Sequence, residues 1–292
     1  MRVGLNLVSL SPRRIPELAQ HAELLGYESV FVPDHVVVPV EFTSKYPGTE
    51  DGSFPYPRPT RLYDPFVVLA MVAQATTRIR LGTAIFLLGL RHPLIAARTL
   101  TTLDVLSGGR AIFGVGVGWL TEEFDALGID PHTRFSRLEE ASTAIRRLWA
   151  ETEPSFEGRH VRFPPVDFEP KPRTSPHPPI LFGGDSMPAL RRAVAFGDGW
   201  ISGGTSGVED VAAQVQQITK MRDEVAGPTN DPFDITVLFP DPSPAELESL
   251  ESIGVHRVVV MPGANGRNPS DVIERFRATA GTVRGIEWVR PN

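Results

Sequence analysis

The chain has 292 residues, of which 41% are hydrophobic and 22% charged, a composition typical of a soluble globular protein. No apolar stretch reaches the roughly 18 residues that a membrane-spanning helix requires. The absence of cysteine excludes disulfides, thiolate metal ligands and cysteine nucleophiles, and a net charge of −6 argues against a nucleic-acid-binding surface. The first residues resemble a strand rather than a secretory signal, so we expect a cytoplasmic protein without membrane or nucleic-acid partners.

Short apolar runs alternate with amphipathic stretches along the chain, which is the pattern of repeated βα units. Each predicted strand is followed by a predicted helix. In chain order the pairs are 2–7 with 12–26, 29–33 with 64–76, 80–88 with 93–106, 111–117 with 122–151, 180–182 with 188–196, 200–201 with 208–225, 235–239 with 245–253, and 257–261 with 271–279.

Two segments interrupt this alternation, at about 36–62 and about 152–178, and we predict that they are insertions. Eight βα units in 292 residues fit the α/β class and a (β/α)8 TIM barrel, with insertions after the second strand and before the fifth. A doubly wound open sheet would have fewer strands and usually a glycine-rich turn after the first one. We therefore predict a single barrel domain over residues 1–292.

The second predicted strand ends in Asp34 and His35. The active sites of TIM barrels lie at the carboxyl ends of the strands, and an imidazole beside a carboxylate can transfer protons near neutral pH. The pair is therefore the candidate for catalysis. The structural alternative is that either side chain only caps a loop.

Glycines end the fourth and fifth predicted strands, with Val117 and Gly118 on one and Gly183 and Gly184 on the other. Glycine lets a ligand approach the backbone closely, and Ser186 opens a helix whose free N–H groups can receive an anion. These residues are candidates for a phosphate site. The alternative is that the glycines only form a turn and Ser186 only caps the helix.

Glu122 and Glu123 begin the helix after the fourth strand, where acidic side chains complement the helix dipole. We interpret them as surface residues rather than catalytic acids. The histidines other than His35 form no ligand-spaced set, so we predict no metal site and disfavour a metal-dependent barrel hydrolase.

Several segments together resemble the bacterial luciferase-like family of flavin and deazaflavin enzymes. They run in order over residues 1 to about 204, and the last third of the chain fits only as barrel sequence. The matching stretches are LGYESVFVPDH at 25–35, RLGTAI at 80–85, RHP at 91–93, LDVLSGGR at 103–110, FGVGVGW at 113–119, EEF at 122–124 with LG at 127–128, PKP at 170–172, GG at 183–184 with ALRR at 189–192, and GDGW at 197–200.

The resemblance implies a barrel that binds its cofactor ring at the carboxyl ends of the strands, with the phosphate near the ends of the fourth and fifth. His35 would be the acid–base residue, and Asp34 a cofactor contact or an orienting group. Such proteins often carry a non-prolyl cis peptide behind the ring, and the corresponding bond here joins Ala84 and Ile85. They also often form dimers, so we expect a homodimer.

Two departures from the family bear on the cofactor. Val117 stands where some flavin-using relatives have an arginine for the phosphate, so the backbone amides of Val117 and Gly118 would have to bind it. Trp119 stands where relatives that oxidise sugar phosphates have a glutamate acid, which disfavours that reaction. The surrounding motif is similar to a subgroup described as deazaflavin-dependent. We therefore expect coenzyme F420, an 8-hydroxy-5-deazaflavin, with FMN as the alternative.

The resemblance also implies the reaction. With F420, we expect hydride transfer to or from a small organic substrate, with His35 moving a proton and a separate dehydrogenase as a possible source of reduced cofactor. With FMN, the protein would be a luciferase-like monooxygenase that uses O2 and FMNH2 from a partner flavin reductase. A non-catalytic flavin- or deazaflavin-binding protein is the alternative from another class.

The insertion over 36–62 is our candidate for a loop that closes over the substrate. Its basic residues could meet an acidic substrate or cofactor tail, and the alternative is an exposed or dimer-contacting loop. The side chains concerned are Lys45, Tyr46, Phe54, Tyr56, Arg58 and Arg61.

Overall fold

Eight parallel strands close into a barrel with helices packed around it. The computed structural model describes residues 1–261 apart from 9, 50, 55, 57–60, 205, 206 and 227–231, together with 274 and 277–279. Its strands and helices, in chain order, are β1 (Arg2–Asn6), α1 (Ile15–Leu24), β2 (Ser29–Val32), α2 (Pro65–Ala75), β3 (Arg80–Thr83), α3 (Pro93–Ser107), β4 (Ala111–Val115), α4 (Thr121–Ala126), α5 (Arg134–Ala150), β5 (Phe156–Glu157), β6 (Arg162–Phe163), β7 (Ile180–Gly183), α6 (Met187–Phe196), β8 (Gly199–Ile201), α7 (Val208–Ala226), β9 (Asp234–Leu238), α8 (Pro244–Ser252) and β10 (Arg257–Val260).

The barrel strands follow one another in the order β1, β2, β3, β4, β7, β8, β9 and β10, and β10 pairs with β1 to close the sheet. Every pairing in the barrel is parallel. β5 and β6 form a separate antiparallel hairpin within the second predicted insertion. The predicted (β/α)8 TIM barrel is confirmed. Among the described helices, none is both long and apolar enough to cross a membrane.

Apolar side chains from the strands fill the inside of the barrel. The ring of Phe31 is fully buried there, and glycines on both neighbouring strands make room for it. A Cβ atom at Gly4 would lie 3.2 Å from the Phe31 ring, and one at Gly82 would overlap it. Phe31 belongs to a small apolar cluster inside the barrel, which consists of Phe31, Ala84, Ile112, Leu181, Ile201 and Val259. A second, larger apolar cluster packs the helices against the sheet.

A buried ion cluster lies at the amino ends of the strands, opposite the mouth. Arg257, which is 0% exposed, donates from Nε and Nη2 to the carboxylate of Glu28 at 2.9 and 3.0 Å. Its Nη1 donates to Asp234 Oδ1 at 3.0 Å, and Arg2 Nη2 donates to Asp234 Oδ2 at 2.7 Å. These contacts join β1, β9, β10 and the residue before β2. This end of a TIM barrel serves stability rather than chemistry.

One predicted helix, 122–151, is two helices in the structure. α4 ends at Ala126 and α5 begins at Arg134. Gly128 lies between them with φ +68°, a conformation that ends helices and that glycine adopts without steric cost. The prediction of one helix was therefore wrong, although Gly128 and Pro131 are residues that interrupt helices.

Two other predicted elements differ in extent. The predicted strand 80–88 is shorter, because β3 ends at Thr83 and Leu88–Leu90 form a 3-10 turn. Most of the predicted helix 271–279 lies outside the described residues, although 274 and 277–279 are helical.

Candidate active site

His35 lies just past the carboxyl end of β2, and its imidazole is held by a buried carboxylate. The Nδ1 atom of His35 is 2.7 Å from Glu123 Oε2, and the two side chains are 12% and 1% exposed. The other oxygen of Glu123 accepts hydrogen bonds from the backbone amides of Val36 and Val37, at 2.6 and 3.2 Å. A carboxylate accepts but does not donate, so we assign the proton of the neutral imidazole to Nδ1. The Nε2 atom is then the one left to exchange a proton with a bound molecule.

The interpretation of Glu123 as a surface residue was wrong, since it is 0% exposed. Both Glu122 and Glu123 do lie in the first turn of α4, as expected. The first turn of α4 lies against the backbone just after His35, so a carboxylate there can reach the imidazole. The available signal was the Glu-Glu-Phe motif at 122–124, which is part of the resemblance to the family.

Asp34 is buried behind His35 and is held by Arg91. Its carboxylate accepts hydrogen bonds from Arg91 Nη1 and Nη2 at 2.5 and 2.8 Å and from the Leu87 amide at 2.9 Å. These bonds tie the end of β2 to the turn after β3. The orienting role expected for Asp34 is therefore filled by Glu123, and a contact between Asp34 and the cofactor stays a prediction.

The predicted cis peptide between Ala84 and Ile85 is present. Ile85 is partly exposed and packs on the interior cluster of the barrel. A Cβ atom at Gly116 would overlap the Ile85 side chain, and one at Gly183 would lie 2.9 Å from Ile85 Cγ2. These glycines therefore accommodate Ile85, which is a different use of Gly183 from close approach to a ligand. The apolar side chain of Ile85 therefore lies at the mouth of the barrel, against the interior cluster.

A cavity of about 300 Å³ opens beside the ends of β4 and β7. It contains Val117, Gly183, Gly184 and Ser186, four of the predicted cofactor-binding residues. The full lining is Pro47, Val117, Phe135, Leu138, Phe182, Gly183, Gly184, Asp185, Ser186, Ala189, Arg192 and Gly203.

The backbone donors around this cavity divide into two groups. The Gly184 amide donates to the Ile201 carbonyl at 3.1 Å, and Ser186 Oγ accepts the Ala189 amide of its own helix at 3.4 Å. The turn and the cap foreseen as structural alternatives are thus present. The amides of Val117 and Gly118 make no hydrogen bond to any described residue, so they are available to an anion.

Arg192 supplies the cavity with a positive charge that the sequence analysis did not assign. Its Nε atom donates to Glu139 Oε1 at 2.9 Å, and its guanidinium stacks 4.3 Å from the centre of the Phe135 ring. These contacts fix the side chain against the cavity wall. The signal was again in the sequence, in the ALRR stretch that contributes to the resemblance.

Asp185 brings a carboxylate into the same cavity. It accepts the Gly203 amide at 2.7 Å. Burial raises the pKa of Asp185, the Gly203 amide opposes the rise, and nearby Asp210 adds to it. The folded protein therefore disfavours the negative charge of Asp185 at this position.

The described part of the first insertion lies beside the active site, and we call residues 36–49, 51–54 and 56 the covering segment. Glu122 Oε1 accepts hydrogen bonds from the Thr43 amide, the Thr43 hydroxyl and the Ser44 amide at 2.7, 3.1 and 3.1 Å. Burial opposes the ionised form of Glu122, but hydrogen bonds from Ser44 and Thr43 outweigh it and lower its pKa to about 2. The two glutamates of α4 thus hold the covering segment at two points.

The other predicted residues of this loop differ in position. Tyr46, Phe54 and Tyr56 are partly buried, whereas Lys45 and Arg61 are exposed. Arg58 lies outside the described residues. Within the described part of the chain, no group of three or more histidine and acidic side chains could hold a metal ion.

Comparison with known proteins assigns this barrel to a family. The profile of the luciferase-like monooxygenases matches residues 2–242. The chain therefore belongs to the luciferase-like monooxygenase family, a family of oxidoreductases, as the resemblance in the sequence predicted.

The names of proteins similar to this chain refer to two different cofactors. An uncharacterised protein of Mycobacterium tuberculosis is 34% identical over 262 residues, covering 89% of this chain and 91% of that one. The F420-dependent glucose-6-phosphate dehydrogenase of Intrasporangium calvum is 28% identical, covering 96% and 85%. The FMNH2-dependent dimethylsulfone monooxygenase of Pseudomonas putida is 32% identical over 205 residues, covering 69% and 51%. The monooxygenase RslO1 of Streptomyces bottropensis shares the fold, with a TM-score of 0.75, 23% identity, and coverage of 97% and 98%.

Proposed function

We propose that the protein is an oxidoreductase that uses coenzyme F420 for hydride transfer to or from a small organic substrate. The observation that carries the proposal is the buried Glu123–His35 pair, which leaves one imidazole nitrogen for proton exchange at the barrel mouth. A relative named for F420 dependence supports this cofactor. The hydrophobic Val117 also supports it, because it stands where some flavin-using relatives place an arginine.

The described residues fit a planar ring that carries a phosphate. Ile85 offers the ring an apolar surface at the mouth. The free amides of Val117 and Gly118 and the cation of Arg192 would hold the phosphate, since amides and guanidinium groups are strong donors to anions. When bound, the deazaflavin supplies or accepts the hydride at carbon C5 of its ring.

The side chains of this protein would handle the proton. In the reducing direction, His35 Nε2 gives a proton to the substrate atom that gains electron density, and in the oxidising direction it takes one. Glu123 keeps the imidazole oriented and stabilises its protonated form by accepting from Nδ1. The covering segment limits the access of water to His35, whose side chain is 12% exposed.

The relative named for FMNH2 keeps a second candidate function open. In that case the protein would be a monooxygenase fed by a flavin reductase, with His35 as the base. A cofactor-binding protein without turnover is the candidate from another class. The homodimer, the cofactor-reducing partner, the single domain and the cytoplasmic location stay predictions.

Titration of the purified protein with oxidised F420 and separately with FMN, followed by fluorescence, tests the cofactor. We expect micromolar binding of F420 and weak binding of FMN. The reverse order would favour the FMN-dependent monooxygenase. Failure of both cofactors to bind would overturn the assignment of this cavity to a cofactor.

The variant His35→Ala tests whether the protein is a catalyst. We expect about 10²- to 10⁴-fold slower turnover, the usual contribution of a general acid or base, with cofactor affinity nearly unchanged. Single-turnover oxidation of bound reduced F420 by a substrate measures this. Equal rates in the variant and the unmodified protein would contradict the catalytic role of His35.

A further inference from the structure

Six rings meet above the mouth of the barrel. Trp119, which follows β4 in the chain, lies 6.1 Å from His35 and 5.6 Å from Phe54 between ring centres. The Phe54 ring is itself 6.4 Å from His35. The remaining members pack on these by edge-to-face contacts of 5.2 to 6.1 Å, so that the aromatic cluster comprises His35, Phe42, Tyr46, Phe54, Tyr56 and Trp119.

The barrel holds the aromatic cluster in place. Glu123 binds the backbone amides at the start of the covering segment, and Glu122 binds its middle at Thr43 and Ser44. Further along, the Tyr46 amide donates to the Gly52 carbonyl at 2.9 Å. These contacts hold the part of the covering segment around Phe42 and Tyr46 beside α4 and His35.

The described charges of the covering segment lie on its outside. Glu41, Lys45 and Asp51 are all exposed, whereas the rings are partly buried. The carboxylates of Glu122 and Glu123 are occupied by backbone amides and by His35. Within the part of the chain that the structure describes, the surface next to His35 thus presents aromatic faces and tyrosine hydroxyls rather than an unpaired charge.

We propose that the aromatic cluster is the substrate-binding surface and selects an uncharged aromatic substrate whose reacting carbonyl or conjugated alkene lies at His35 Nε2. This rests on the proposed oxidoreductase function. Aromatic rings pair favourably at centre distances of about 4.5–7 Å. Because Phe54 and Trp119 are only partly buried, a substrate ring beside His35 can pack against them. A charged substrate would lose its hydration at this surface, and no described side chain next to His35 would offset that cost with an unpaired opposite charge.

The test compares two ligands that differ by one charge. They are 4-phenylbut-3-en-2-one and its 4-carboxyphenyl analogue, titrated calorimetrically into the protein with and without bound F420. We expect the neutral ketone to bind at least about tenfold more tightly, and Phe54→Ala to weaken that binding by about tenfold. The control Tyr63→Ala removes an aromatic ring outside the cluster, 40% exposed, and should leave both affinities unchanged.

Equal affinities for the two ligands, or no effect of Phe54→Ala, would overturn this inference. Phe54→Tyr, which keeps the ring, should restore the affinity for the ketone if the ring is what matters. The F420 titration separates the two proposals. If F420 binds but the protein shows no preference for the neutral ketone, only the proposed substrate class is refuted. If the protein prefers the neutral ketone but does not bind F420, only the proposed cofactor is refuted.

Discussion

At the scale of single residues, Glu123 decides which nitrogen of His35 faces a bound molecule. The variant Glu123→Gln keeps an oxygen for the Val36 and Val37 amides but turns an NH2 group toward Nδ1. We expect the imidazole proton to move to Nε2 and turnover to fall about 10²-fold, because general acid–base catalysis contributes at least that much.

Two measurements check this expectation. Nitrogen NMR of labelled histidine reports which nitrogen of His35 carries the proton, and single-turnover kinetics report the rate. Glu122→Gln is the matched control for the tautomer, because its carboxylate binds Thr43 and Ser44 rather than His35. An unchanged tautomer with an unchanged rate in Glu123→Gln would show that Glu123 has only a structural role.

Asp185 offers a second prediction at this scale. Its pKa is raised in the fold, so its ionisation at neutral pH opposes folding. The isosteric variant Asp185→Asn should be more stable than the unmodified protein at pH 7, and the gain should shrink as the pH falls toward 3.8, the ordinary value for aspartate. Urea denaturation at several pH values measures this difference in stability.

The Asp185→Asn variant should also bind F420 severalfold more tightly, because a carboxylate leaves the cavity. Weaker binding would contradict our proposal that the cavity holds the phosphate of the cofactor.

At the scale of elements, the short helix α4 attaches the covering segment to the barrel. Glu122→Gln should loosen residues 41–46 at neutral pH, because a neutral amide accepts backbone hydrogen bonds less strongly than a carboxylate. We expect severalfold faster hydrogen exchange of the Thr43 and Ser44 amides with the barrel strands unaffected. Equal exchange rates would show that the ring contacts alone hold the segment.

The pH dependence of this attachment follows from the lowered pKa of Glu122. The ionised carboxylate of Glu122 stabilises the attachment fully above pH 4.5, which is the ordinary pKa of glutamate, and this stabilisation is lost as the pH falls toward about 2. The covering segment should therefore stay attached throughout the neutral range.

At the scale of the whole molecule, the buried ion cluster at the base stabilises the barrel apart from its chemistry. Arg257→Ala would leave Glu28 and Asp234 without their main partner, and breaking such a buried pair costs about 3–5 kcal/mol. Urea denaturation measures this loss. The control Arg162→Ala removes an ion pair with Glu157 whose side chains are 73% and 75% exposed, and should cost at most about 1 kcal/mol.

Measuring the affinity of the Arg257→Ala variant for F420 shows whether the ion cluster affects only the stability of the barrel or also its cofactor site. Under conditions where the variant is folded, its affinity for F420 should equal that of the unmodified protein, because the cluster lies at the opposite end of the barrel from the cavity. Loss of binding in the folded variant would contradict the division of the barrel into a stabilising base and a functional mouth.

The order of apolar and amphipathic runs along the chain was enough to predict the barrel and the end of the barrel at which its site lies. Alternating apolar and amphipathic runs allow few other folds, and parallel strands with regular crossovers bring their carboxyl ends to one mouth. His35 and the glycines at the ends of β4 and β7 could therefore be placed by counting along the chain, whereas the Ala84–Ile85 bond was predicted from the resemblance to the luciferase-like family.

The pairing of side chains at that mouth became visible only in the folded protein. Glu123 reaches His35 across 88 positions of sequence, and Arg91 reaches Asp34 across 57. No local pattern encodes such contacts, because they depend on how a loop and a helix pack over the finished barrel. For the same reason the inward turn of Glu123 was missed. The helix break had a local signal, since Gly128 and Pro131 both interrupt helices, and the prediction of one long helix overlooked it.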